Sequence, residues 1–191
     1  MLELRSLCKK FQTSTGNGRM ALNNVTLSLQ PNDFVTIIGS NGAGKSTLLN
    51  VIAGVFPADS GQIVIDGEDV TSLPEHRRAS LMGRVFQDPM QGTAGSMSIE
   101  ENMAMAYKRG MRRGLSKGVS VKHRDFFREK LASLGLGLED RLQEPVKLLS
   151  GGQRQALALL MATLSRPKLL LLDEHTAALD PRTAQEIQEL T

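Results

Sequence analysis

A chain of 191 residues, 40% hydrophobic and 23% charged, has the length and composition of one well-buried globular domain with room for a small subdomain. Its net charge of +3 permits contact with lipid headgroups or nucleic acid without arguing for either, and its lone Cys8 rules out an internal disulfide, which points to a reducing compartment. Residues 1–7 alternate charge with Leu and so form no secretory signal. The most apolar stretch, 156–172, is interrupted by Arg166, Pro167 and Lys168 and cannot cross a bilayer.

In chain order, residues 1–7 read as a strand. Val25, Leu27 and Leu29 alternate with polar residues behind the turn signal Gly16-Asn17-Gly18, so the first thirty residues resemble a β hairpin that Pro31-Asn32-Asp33 ends. The β-branched apolar run 34–38 predicts a strand, followed by a Gly-rich loop and a helix over 45–53 that Gly54 stops. Short strands are predicted at 62–65 and 84–86, with Asp66-Gly67 as a turn. Ser98 with Glu101 forms a capping box that opens a helix through about Lys108, and 122–134 is a second helix closed by Gly135. Residues 90–148 thus make a helical insert between two α/β halves. A helix over 151–164, a buried strand over 168–172, and a last helix with Asp180 as N-cap and Pro181 at its first position complete the pass.

Gly39-Ser40-Asn41-Gly42-Ala43-Gly44-Lys45-Ser46-Thr47 satisfies the P-loop pattern in full, between a predicted strand and a predicted helix. Its glycines let successive backbone N–H groups face one concavity, and the helix adds its positive end, so a triphosphate is the expected guest. Lys45 is expected on the β and γ phosphates, the Ser46 hydroxyl on Mg2+ and Thr47 on a phosphate. The competing reading is a Gly-rich turn before a helix. Four leucines, Leu169 to Leu172, lead to Asp173 and Glu174. Either carboxylate alone could be a surface cap, but two beside a P-loop divide the labour, Asp173 in the magnesium shell and Glu174 as general base toward water.

Leu149-Ser150-Gly151-Gly152-Gln153, continued by Arg154-Gln155, is a Ser-Gly-Gly turn at a helix start, which is either an ordinary helix cap or a second phosphate nest. Taken with the P-loop, Gln87 in Val85-Phe86-Gln87-Asp88-Pro89, the acidic pair and Ala178-Leu179-Asp180, it makes the chain resemble the nucleotide-binding domains of ATP-binding-cassette (ABC) transporters over essentially its whole length. The resemblance implies a P-loop NTPase α/β core with an N-terminal antiparallel β region and an inserted helical subdomain. It also implies ATP with Mg2+ as cofactors and hydrolysis of ATP coupled to transport.

By the same resemblance two cassettes face head to tail, and Leu149, Ser150, Gly151, Gly152 and Gln153 of one complete the nucleotide site of the other. Ala178, Leu179 and Asp180 form a dimer-interface loop, and Gln87 ligates magnesium or the attacking water. Phe11 stacks on adenine where the family has Tyr; as a lone Phe after a strand it would otherwise be core. His175 departs from the family's Pro and reads as a turn residue. The family's switch His would lie beyond Thr191, so the chain is expected to be either C-terminally incomplete or a shortened homologue, and to bind ATP but hydrolyse it far more slowly than a version extended to include that His.

The implied partners are a second ATPase subunit as a homodimer, transmembrane permease chains and a separate substrate-binding protein, with no nucleic acid. The implied location is the cytoplasm, peripheral on the inner face of the cell membrane. Lys108, Arg109, Arg112, Arg113, Lys117, Lys122 and Arg124 form a basic stretch, either a solvated face or a contact with permease or headgroups. Residues 100–106 and Asp173-Glu174-His175-Thr176 are similar to bacterial importer cassettes for amino acids of the tryptophan and tyrosine type. The alternatives are a non-transport cassette ATPase of translation or DNA repair, against which the single cassette and the absence of a long coiled coil argue, and a regulatory module without turnover, against which Lys45, Asp173 and Glu174 argue.

Overall fold

The structure, a computed structural model, describes residues 1–12, 18–111 and 118–173, in two compact units, Met1–Met82 and Gly83–Thr191. In the first unit β1 (Leu2–Phe11), β2 (Arg19–Leu29), β3 (Ser60–Ile65) and β4 (Glu68–Asp69) form one sheet in the order β2-β1-β3-β4, with every neighbouring pair antiparallel. This is the N-terminal antiparallel β region that the sequence predicts. Val25, Leu27 and Leu29 are half-buried while Thr26, Ser28 and Gln30 are exposed, as a sheet with one covered face requires. The hairpin ends where Asp33 turns back on Gln30, its backbone N–H donating to the Gln30 carbonyl and its carboxylate accepting from the Gln30 N–H. Asp66 and Gly67 both have positive φ, 53° and 84°, the two-residue turn that joins β3 to β4.

Helix α1 spans Lys45–Ala53, bounded by Gly44 and Gly54 as predicted, and buries Leu48, Val51 and Ile52. Each such side chain contributes about 1.5–3 kcal/mol on burial. A one-turn helix, α2 (Glu75–Arg78), places Arg78 beneath α1. Its guanidinium, 1% exposed, donates to the carbonyls of Val51 and Ile52 at the carboxyl end of α1, each at 2.8 Å, and to those of Leu73 and Thr71. A cation at that end of a helix meets its negative pole and satisfies carbonyls that lack intrahelical partners.

The strand predicted over 34–38 does not form. Phe34 is 76% and Ile38 91% exposed, and the run pairs with none of the four strands of its unit. A largely apolar run of this kind forms a buried strand when neighbouring strands and covering layers are supplied, and its own composition supplies neither.

In the second unit α3 (Ile99–Tyr107), α4 (Val121–Ala132) and α5 (Gly151–Thr163) surround a core that includes Ile99, Met103, Phe127, Leu131, Leu138, Val146, Leu157 and Leu160. Tyr107 lies against His123, Phe126 and Phe127, joining α3 to α4 through aromatic contacts. The Ser98–Glu101 capping box forms as predicted, and Ser120 with His123 makes another. A two-stranded sheet pairs β5 (Met82–Val85), which starts on the last residue of the first unit, with β6 (Leu169–Leu172), over Leu159 and Ala162 of α5.

Candidate functional site, a phosphate loop at the start of a helix

The loop 39–44 closes on itself through a bond from the Ala43 N–H to the Ser40 carbonyl at 3.1 Å, and its cation folds over it. The Lys45 ammonium donates to the carbonyls of Gly39, at 2.8 Å, and Ser40, at 3.1 Å. Gly39 to Ala43 are exposed, as is Ser46, so the loop presents its concavity to solvent.

Gly44, at φ 98°, is the N-cap of α1 and offers no side chain to the helix, and the first turn contains no acidic residue. The first N–H groups of a helix have no intrahelical partners, so this end keeps both its donors and its positive pole available to an anion. A Cβ at Gly44 would stand 2.5 Å from the Ala21 carbonyl oxygen of β2, and one at Gly42 3.0 Å from Arg19. The loop is therefore pressed against β2 with backbone alone, a cradle that a side chain would fill and that a phosphate chain fits. Between Asp33 and Asp59 the sequence carries no acidic residue to compete with such a guest.

Phe11, half-buried at the end of β1, stands edge to face with Phe56, ring centroids 5.3 Å apart, with the Lys9 ammonium 5.6 Å from its centroid. Lys9 is itself held by Asp59 at 2.8 Å, and that carboxyl lies below the ordinary carboxylate range because Lys9 and the Lys10 N–H both donate to it. Phe11 and 39–47 belong to the first unit; Gln87, 149–153 and Asp173 belong to the second.

In the second unit the Asp173 N–H donates to the Val85 carbonyl at 3.1 Å, so the carboxyl ends of β5 and β6 lie side by side. Asp173 directly follows β6 and Gln87 follows β5 by two residues, so both leave the same end of the sheet, the end where open α/β sheets take their ligands. Glu174, His175, Ala178, Leu179 and Asp180 lie outside the described residues, as do residues 112–117 of the basic stretch.

Ser150 caps α5. Its hydroxyl accepts from the Gln153 N–H and its own N–H donates to the Gln153 carboxamide, a closed capping box in which Ser150, Gly151 and Gly152 remain exposed and Leu149 is buried. Arg154 holds the approach to this turn, its guanidinium donating to the carbonyls of Leu149 at 2.9 Å and Lys147 at 3.2 Å. Arg154 belongs to the motif at 149–155, but an Arg just inside a helix start gives no signal of which carbonyls it will reach.

Asn102 lies in the 100–106 segment, whose pattern gives no sign of its role. Fully buried, it accepts from the Ala94 N–H at 2.8 Å and donates to the carbonyls of Ala94, Met97 and Ser98, pinning the segment between Gln87 and α3. Beside it Glu100, buried, is held below the ordinary carboxylate range by Arg124, which donates to both of its oxygens, with help from Gln143. Among the described residues no helix is long and apolar enough to cross a membrane.

Comparison with known proteins agrees with this geometry. The profile of the ABC transporter family matches residues 22–177. The chain is 44% identical to the tyrosine transport ATP-binding protein of Clostridioides difficile (strain R20291) over 191 residues, covering 100% of itself and 76% of that protein. It is 34% identical to the spermidine/putrescine import ATP-binding protein PotA of Haemophilus influenzae (strain ATCC 51907 / DSM 11121 / KW20 / Rd), covering 99% of itself and 46% of that relative. Among solved structures, the dimeric post-hydrolysis state of the ATP-binding cassette MJ0796 with ADP and Pi superposes with a TM-score of 0.83 at 29% identity, over 100% of this chain and 81% of the other. A phosphate-ready P-loop, a capped Ser-Gly-Gly helix start and these likenesses converge, and the chain belongs to the ABC transporter family as one of its ATP-binding cassettes.

Proposed function

We propose that the chain is the ATP-binding and ATP-hydrolysing subunit of an importer whose permease is a separate chain, that it works as a homodimer, and that the cargo is an amino acid of the tyrosine type. The observation that carries the nucleotide part is the start of α1, free of any side-chain cap, with Lys45 folded over its own loop. The importer and its cargo rest on the likeness of 100–106 and 173–176 to amino-acid importer cassettes and on the named relatives, transport and import ATP-binding proteins. The same names favour transport over the translation and repair alternatives.

In this reading Lys45 leaves the Gly39 and Ser40 carbonyls for the β and γ phosphates, the N–H groups of residues 42–47 bind phosphate oxygens, and Phe11 packs on the adenine. Ser46, Gln87 and Asp173 would hold a magnesium ion bound with the nucleotide, a sparse set that suits an ion ligated mainly by phosphate and water, and the ion would offset phosphate charge. Glu174 accepts the proton of the attacking water as its oxygen bonds to the γ-phosphorus and the bond to the bridging oxygen breaks, ADP leaving with that oxygen. Ser150, Gly151 and Gly152 of one copy meet the γ-phosphate held by the other, with Leu149 and Gln153 setting the turn and Ala178, Leu179 and Asp180 in the interface. Residues 90–148 are the inserted helical subdomain, which meets the permease and holds the chain at the inner face of the membrane. A separate substrate-binding protein delivers the cargo.

Glu174→Gln tests the enzyme directly. ATP binding measured by calorimetry should persist, phosphate release should fall by about two orders of magnitude or more, and a nucleotide-bound dimer should accumulate in light scattering. Phosphate release at the parent rate would place the general base elsewhere.

A further inference from the structure

We infer that Arg19 is a second cation of the nucleotide site and contacts a phosphate of the bound nucleotide; this rests on the nucleotide reading above. Its position follows from the sheet. Arg19 opens β2 directly opposite Phe11, the last residue of β1, so the two side chains leave one face of the hairpin as neighbours. From there the guanidinium reaches the P-loop, donating one N–H to the Gly42 carbonyl at 2.8 Å. Two residues farther along β2, the Ala21 carbonyl lies under Gly44 so closely that a Cβ there would stand 2.5 Å away. This end of β2 therefore borders the loop at two points, and Arg19 spans from the side of the site that carries Phe11 to the side that carries the phosphate donors.

The electrostatics have the same sense. A guanidinium carries five N–H donors, and the Gly42 carbonyl takes one. Among the described residues no carboxylate lies within ion-pair distance of Arg19 or of Lys45, so the two cations flank the loop without a countercharge. An exposed planar fork beside converging backbone N–H groups matches a phosphate's oxygens, and a phosphate is the anion this loop is shaped to take. Neither the P-loop pattern nor its spacing includes Arg19, which stands twenty-three residues before Gly42.

The experiment compares Arg19→Gln and Arg19→Lys with the parent 191-residue chain, titrating MgATP by calorimetry. Glutamine removes the charge and shortens the reach, whereas lysine restores the charge, so a loss in the Gln variant that the Lys variant recovers reports on the cation. The Gln variant should bind MgATP about tenfold more weakly at low salt, the deficit should shrink as salt rises from about 50 to about 500 mM, and the Lys variant should recover most of the affinity. Affinity of the Gln variant within twofold of the parent at low salt would overturn the inference, as would a deficit that salt does not change. Should the Gln variant melt below the parent, the Lys variant decides, because it retains charge and stem: weak binding by a stably folded Lys variant would mean that Arg19 only braces the loop. Lys45→Ala separates the two readings. If it abolishes binding while Arg19→Gln does not weaken it, the inference about Arg19 alone fails; if it leaves binding unchanged, the nucleotide reading itself fails.

Discussion

Two helices of this molecule begin at glycine-bearing turns, and they are built in opposite ways. Helix α1 starts from Gly44 with no side-chain cap, and its glycines are required by its own chain: Gly44 sits at φ 98° against the Ala21 carbonyl and Gly42 at φ 80° against Arg19. Helix α5 starts from Ser150 with a closed capping box, and a Cβ at Gly151 or Gly152 would meet nothing within 4 Å. The first turn is shaped inside its own chain and leaves its donors to an anion. The second is satisfied as a helix start, and among the described residues nothing stands near enough to its glycines to demand bare backbone. A second copy carrying nucleotide, as proposed, would make that demand.

Three substitutions break or sharpen this contrast. Gly44→Ala should have the largest effect. The left-handed backbone costs about 1–2 kcal/mol for a residue with a Cβ, and the collision with the Ala21 carbonyl adds to it. MgATP binding should disappear in calorimetry, with a lowered melting midpoint, and parent-like affinity would mean that the loop relaxes away from β2.

Ser150→Ala is expected to act at the level of one helix cap, destabilising the chain by about 1 kcal/mol in urea titration while a single copy still binds ATP. A change in single-copy ATP affinity would tie Ser150 to the nucleotide of its own chain and contradict the head-to-tail arrangement.

The smallest effect on the isolated chain belongs to Gly152→Ala. With open space around the new methyl group, stability should stay within about 0.5 kcal/mol of the parent or rise slightly. ATP-driven dimerisation, followed by light scattering in the Glu174→Gln background, should nevertheless weaken. Unaltered dimerisation would show that the exposed turn is not where the second copy's nucleotide lies.

The same contrast marks how far local sequence reaches. The bounds of α1, the box at Ser98 and Glu101, the Asp66-Gly67 turn and the alternation along β2 were legible because each depends on hydrogen bonds or side-chain directions repeating within about four residues, and spacing encodes those. The box at Ser120 was not, because its third helical residue is His123 in place of the Glu or Gln that signals the motif. The motifs on which the proposed site rests, the P-loop, the acidic pair and the Ser-Gly-Gly turn, stand out on the same terms, as contiguous patterns.

By itself, then, the sequence determined where α1, α3, α4 and α5 start and stop to within about two residues, while the one-turn α2 gave no signal. Tertiary structure alone decided the state of 34–38, since a run rich in β-branched apolar residues has no edge partners of its own and, among the described residues, stands exposed and in neither sheet. It also decided what the long polar side chains hold. Arg78 reaches Val51 across twenty-seven residues, Arg19 reaches Gly42 across twenty-three, and Arg154 reaches Met90 across sixty-four. A flexible stem with a forked head binds whichever carbonyl, sulfur or phosphate the fold brings within its length, and no pattern of neighbours in the chain specifies which that will be.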